Sequence, residues 1–237
     1  MKKTIMTLMI FQLLFLTACT QLEPDVTTPH QQAITSVDEH IVITESKDKS
    51  IAILGKPDNS SGVFHDIQVR INGSTKSFQW ENVTSPSFYP ELWVANVDDD
   101  SEDEIVISLT KGHGTGIRAS ELHVLNMDFS EIPVDNPKNS IKKYVQTSLL
   151  INGEKRTYSI TVKNKNYSYE YNNSDAGSWL DDVAFGNIVR YRMQGGAIYV
   201  EVSAQVSPGH FIGAVDAVYG YKDGQLQIEG LQFIENR

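Results

Sequence analysis

Six carboxylates crowd into the seven residues Asp98 to Glu104, within the stretch Asn96-Val97-Asp98-Asp99-Asp100-Ser101-Glu102-Asp103-Glu104. Counted from Asn96, oxygen-bearing side chains fall at positions 1, 3, 5 and 9, namely Asn96, Asp98, Asp100 and Glu104. The main-chain carbonyl of Glu102 falls at position 7. Calcium is a hard cation that takes about six to eight oxygens at roughly 2.3–2.6 Å. A tight loop with oxygens at alternate positions can turn them inward around one such ion. Like charges about 5 Å apart repel by a few tenths to about 1 kcal/mol per pair near a surface, and a divalent ion reverses that sign. The apolar flanks Trp93-Val94 and Ile105-Val106-Ile107 predict strands that pin both ends of the loop. These residue types at this spacing predict a calcium site with a structural role. The competing reading is a solvated acidic loop.

Other residues offer weaker chemistry. His113 and His123 lie ten apart, with Glu121 between them. On a strand, Glu121 and His123 share a face, which would suit a metal or an acid–base pair. Lys111-Gly112-His113-Gly114-Thr115-Gly116 reads as a wide glycine-rich loop. It lacks the Gly-Lys-Ser/Thr ending of a phosphate loop and opens no helix. Ser207-Pro208-Gly209-His210 is a turn, and Ser207 lacks the Gly-x-Ser-x-Gly setting of a nucleophile elbow. Tyr167, Tyr169, Tyr171, Tyr191, Tyr199, Tyr219 and Tyr221 sit on β-like runs, where aromatics form either a sugar- or peptide-binding face or the edge of a core.

The amino-terminal end carries its own chemistry. Two lysines precede an apolar run from Ile5 to Leu16, and Leu16-Thr17-Ala18-Cys19 follows. The run is too short to cross a hydrocarbon core of about 30 Å as a helix but suits a signal peptide. Leu16-Thr17-Ala18-Cys19 resembles the lipobox of bacterial lipoproteins. That resemblance implies a signal peptide over 1–18, cleavage before Cys19, a diacylglyceryl group on the Cys19 thiol, further acylation such as palmitate on the new amino terminus, and anchoring to the extracytoplasmic face of the cell membrane. Cys19 is the only cysteine, so no intrachain disulfide is available and stability must come from burial or metal.

Residues 19–39 are polar, with Pro24 and Pro29, and read as a flexible tether. From 40 to 237 the chain shows short β-rich runs between turn residues. Asn72-Gly73, Asn152-Gly153, Gly195-Gly196 and Asp223-Gly224 each separate two such runs and predict hairpins. Asp135-Asn136-Pro137, followed by Ile141, Tyr144 and Val145, predicts a short helix over Pro137–Gln146. Trp179 to Phe185 reads as a turn of helix or a loop. The expected class is mainly β, with roughly a dozen short strands in antiparallel hairpins, sandwich-like or a partial blade-like array, and one short helix. A single domain over 40–237 is the default for this length, with two halves, 40–135 and 147–237, as the alternative.

The acidic loop resembles the calcium loop of FG-GAP or VCBS-type repeats, whose motif alternates Asp or Asn with Gly and ends in an acid followed by Ile-Val. The resemblance implies side-chain ligands Asn96, Asp98, Asp100 and Glu104 and a main-chain ligand at Glu102. This chain has Asp99 and Ser101 where the family usually has Gly. The span from Glu91 to Asn126 is also similar to a module of uncharacterised Gram-positive envelope lipoproteins.

The chain carries a formal charge of −10, and removing Lys2 and Lys3 with the signal leaves 18 basic against 30 acidic residues, or −12. That balance argues against nucleic acid as a partner, which needs a basic footprint. The expected function is a lipid-anchored envelope lipoprotein with a calcium-stabilised β domain and a non-enzymatic binding role towards wall polymer, matrix or a protein partner. The alternatives are a metal-dependent hydrolase using His113, His123 or His210, and an accessory or sensor lipoprotein of a membrane complex.

Overall fold

More and less buried side chains alternate along several strands of this computed structural model, which describes residues 40–98 and 100–236. Asp99, Cys19 and the expected signal peptide and tether lie outside the described residues. A first sheet holds β1 (Ile41–Glu45), β2 (Ile51–Asp58), β3 (Val63–Ile71) and β4 (Ser74–Phe78) in that spatial order, with β5 (Asn82–Val83) also on β3. A second sheet runs, in spatial order, β16 (Gln225–Glu235), β15 (His210–Lys222), β14 (Ala197–Ser207), β13 (Ala184–Gln194), β8 (Ile117–Leu125), β7 (Glu104–Gly114) and β6 (Glu91–Ala95). Its eighth strand, β9 (Glu131–Ile132), pairs with β8. A third sheet, β10 (Val145–Asn152), β11 (Lys155–Val162) and β12 (Lys165–Asn172), follows the helix α1 (Pro137–Tyr144).

The fold is therefore mainly β and antiparallel, with one α-helix and sixteen strands among the described residues. Among the described residues, β8 and β13 pair in parallel through a short contact, where Ile188 lies opposite Arg118, and an isolated parallel bridge joins Val134 to Leu226 of β16. All the described residues fall in one compact unit, and the eight-stranded sheet takes strands from both sides of α1.

Two apolar cores explain why the sheets stack. On one face of β7, Ile105, Ile107 and Leu109 join Leu125 of β8 against Ile53, Phe64, Ile67 and Val69 of the first sheet. On the other face, Val106 with Leu122 and Val124 meets a larger core filled by Ile141, Tyr158, Ile160, Val200, Val202 and Val215. Each such side chain contributes roughly 1.5–3 kcal/mol of hydrophobic stabilisation. β7 thus belongs to both cores, and Glu104 to Thr110 are all buried.

Local chemistry accounts for the boundaries. The Asn136 side chain accepts from Lys138 N–H at 3.0 Å and caps α1, Pro137 stands in its first turn, and Lys142 and Lys143 stand in its last. The helix stops at Tyr144, two residues short of the expected end, because Val145 enters the β10 ladder opposite Val162. The expected wide loop at 111–116 is instead strand: Gly112 pairs with Ala119, Gly114 with Ile117, and only Thr115-Gly116 turn. A bulge between Thr110 and Gly112 absorbs the glycine-rich sequence. Trp179 to Val183 is irregular connection, and Ala184 and Phe185 already belong to β13.

Asn82, fully buried, ties the first sheet to β7. Its Nδ2 donates to the carbonyls of Val83 (2.8 Å) and Phe88 (2.9 Å), and its Oδ1 accepts from Thr110 N–H at 2.7 Å. Replacing one partner strands buried polar groups at about 1–3 kcal/mol each. Asn82→Ala is expected to lose about 3 kcal/mol and, at about 2–4 °C per kcal/mol for a domain this size, to melt roughly 6–12 °C lower. Calorimetry checks this, and a shift within 2 °C or so would mean that water replaces the amide.

Candidate functional site

The acidic loop closes between the edge strand β6 and the doubly buried β7. Ala95 pairs with Glu104, so the eight residues 96–103 make the connection. Aspartates build its turns from within: Asp98 Oδ1 accepts from Asp100 N–H at 3.1 Å, and Asp100 Oδ1 accepts from Glu102 N–H at 2.6 Å. The Asn96 Nδ2 donates to the Asp100 carbonyl. Glu104 then reaches back, its Oε2 accepting from Val97 N–H at 2.7 Å.

These turns gather the carboxylates of Asp98, Asp100 and Glu104, with one oxygen from each lying within 4.8 Å of the others. Oxygens sharing a calcium at about 2.3–2.6 Å can lie at most about 5 Å apart, so the spacing fits one ion. Asn96 and Glu102 enter the loop through their hydrogen bonds with Asp100, while Ser101, Glu102 and Asp103 are exposed. Three of the six carboxylates therefore converge; Glu102 and Asp103 are not in the group.

Glu104 is the unusual member. It is 1 % exposed, at the first position of β7. Burial pushes its carboxyl above the usual range, the Val97 N–H opposes that, and the charges of Asp98 and Asp100 push it up further. A buried carboxylate beside two others is costly unless a cation or a proton joins it.

The histidines sit in separate aromatic settings. His113 stacks on Phe88 at 4.3 Å, His123 on Trp80 at 3.8 Å, and His210 meets Tyr171 edge-on at 4.8 Å. His123 is 7 % exposed, its Nδ1 lies 2.8 Å from Glu131, and Glu121 shares its face at 3.9 Å. None of the three belongs to the carboxylate group. Tyr191 and Tyr219 are buried, and Tyr167, Tyr169, Tyr171 and Tyr221 pack against the larger core. Burial raises the Tyr191 and Tyr219 phenols well above their usual range. Sequence reasoning missed the pair Arg192–Asp216, in which Nη1 and Nη2 each meet one carboxylate oxygen at 2.7 and 2.9 Å.

The raised Glu104 carboxyl has a pH consequence without metal. Its folded value exceeds its unfolded one, so the fold is stabilised below the ordinary carboxylate range and loses that contribution as pH rises through the raised value. In EDTA above that window, Glu104→Gln keeps the Val97 contact and is expected to melt about 2–4 °C above wild type, the effect of about 1 kcal/mol of removed repulsion. Below the ordinary carboxylate range the two melt together. A difference that does not change across this pH window would refute the assignment.

Compared with protein-family models, curated proteins and solved structures, the chain matches none, and its function is argued from these side chains.

Proposed function

We propose that this chain is a lipid-anchored envelope protein whose β domain is held together by one calcium ion and serves binding rather than catalysis. The observation that carries the calcium part is Glu104: a carboxylate buried at the start of a strand whose first seven residues are all buried, and facing two further carboxylates. A divalent ion turns that repulsion into attraction, and hard oxygens alone are the donor chemistry calcium prefers. Its role is structural, because it would join the edge strand β6 to the central strand β7. Asp98, Asp100 and Glu104 supply side-chain oxygens, and Asn96 and Glu102 complete the set proposed from the loop's spacing. The anchor is supported by Leu16-Thr17-Ala18-Cys19 and by the short apolar run before it.

Calorimetry of the full chain in detergent tests the metal. Calcium at about 100 times its dissociation constant is worth about 2.7 kcal/mol, which corresponds to a melting temperature roughly 5–10 °C above that in EDTA. In calcium Glu104→Gln is expected to melt below wild type, the reverse of its order in EDTA. An unchanged melting temperature on adding calcium removes the ion from the reading. Metabolic labelling with palmitate tests the anchor separately: label is expected in wild type and absent from Cys19→Ala, and an unlabelled wild-type chain overturns it.

A further inference from the structure

An acidic chain, with 30 Asp and Glu against 20 Lys and Arg, nevertheless lines one cleft with lysines. The cleft has a volume of about 510 Å³ and lies where the β11–β12 turn meets β14, β15 and β16. Ligand sites commonly run about 300–1,000 Å³. Lys163 and Lys165 line it together with Tyr167, Tyr199, Asp216 and Gln232. An adjoining depression shares Lys163 and adds Lys143, Glu229 and Tyr144, the last 53 % exposed. Among the described residues, no carboxylate stands within ion-pair distance of Lys143, Lys163 or Lys165.

Asp216 is the fixed point of the cleft. Its neighbours Val215 and Ala217 face the core, so its own side chain stands on the other face of the strand, yet only 7 % of it is exposed. Arg192 grips both its oxygens, and the guanidinium lies 4.7 Å from the centre of the Tyr199 ring. The pair is neutral as a unit, and each Asp216 oxygen keeps a lone pair for a hydroxyl donor.

The turn that brings the lysines carries strain. Of the seven two-residue hairpin turns among the described residues, only Lys163-Asn164 contains no glycine. Lys163 sits at φ 55, in the left-handed region where glycine is unstrained.

We propose that this cleft binds an anionic saccharide chain, with sugar rings packed on the tyrosines, hydroxyls on Asp216 and Gln232, and carboxylate or phosphate groups on Lys163 and Lys165. Aromatic rings, a pinned carboxylate, an amide and unpaired ammonium groups together suit a ring-bearing polyol with one or two charges. A nucleic acid, with a charge every 1.7 Å or so, would meet the net negative field of the chain. The proposal rests on the envelope-binding reading only for where the ligand is found; the acidic loop and Cys19 take no part in it.

Titration calorimetry of the full chain in detergent, with a galacturonic acid hexamer, its methyl ester and phosphatidylglycerol vesicles as probes, tests this. It is run in EDTA at low temperature, with circular dichroism confirming the fold, so that failure of the calcium reading and failure of the cleft are separate results. The acid hexamer is expected to bind, the ester at least several-fold more weakly, and the vesicles not at all beyond detergent exchange. Lys163→Gly is expected to weaken hexamer binding about tenfold, the loss of one charge-assisted hydrogen bond, while leaving the melting temperature unchanged or higher. Tyr199→Ala weakens it without changing the preference for the acid. No hexamer binding, equal binding of the ester, binding by vesicles alone, or full affinity in Lys163→Gly would each overturn the proposal.

Discussion

The first seven residues of strand β7 have no solvent face, and the rest of the molecule is arranged around that fact. Seven consecutive residues, Glu104 to Thr110, are buried, with Ile105, Ile107 and Leu109 in one core and Val106 in the other. Apolar members of such a strand are easily housed between two layers. Two of its polar groups take partners from the short strand β5 and from the acidic loop. Asn82 takes the Thr110 N–H, and the Val97 N–H takes one oxygen of Glu104. The loops before and after β6 are therefore fixed by the polar requirements of β7 rather than by their own propensities. Ser108 Oγ, also buried on this strand, has no hydrogen-bond partner among the described residues.

Turn chemistry made much of this fold legible in sequence, because it is local. Asn72-Gly73, with φ values of 48 and 87, and Gly195-Gly196, with 60 and 80, are residues chosen for left-handed backbone. The hairpins of the carboxy-terminal half were readable for the same reason. Lys163-Asn164 gives no such signal, yet Val162 pairs with Lys165 directly across it. Glycines 112, 114 and 116 sent a false signal. Periodic turn residues suggested a loop, but a bulge and cross-strand pairing carried the chain through it. Which sheet each hairpin joins was not legible at all. The contact of β8 with β13 brings together residues 70 apart and rests on a single register pair, and no local pattern encodes it.

The candidate site divides in the same way. Alternate oxygens in one loop are a local pattern, so Asp98, Asp100 and Glu104 stand out in the sequence itself. The depth of Glu104 does not, because it depends on sheets laid over both faces of β7. Arg192 and Asp216 lie 24 residues apart and meet across the intervening strand β14, with Asp216 hidden in sequence among Val215, Ala217 and Val218. A single acid in an apolar run reads as a solvent-facing position of an amphipathic strand, and only the tertiary structure shows it buried and paired.

The position of the acidic loop also bears on why a bound cation would act on the whole domain rather than on one turn. Val97 is partly buried against the larger core, and Asn96 and Val97 line a small cavity with Gly196, Ile198, Tyr219 and Leu226. One side of the loop thus touches β14, β15 and β16, while Glu104 anchors the other in a strand shared by both cores. Drawing Asp98 and Asp100 towards Glu104 would fix Val97 against those strands through the hydrogen bond it already makes to Glu104. Removing the ion would restore repulsion at the point where three carboxylates, an edge strand and two cores converge. A site built for catalysis needs an open position for substrate; one built to bind layers together needs its ligands on elements that would otherwise part. As the ligands proposed above, Asp98 and Asp100 on the loop from β6 and Glu104 on β7 would take the second arrangement.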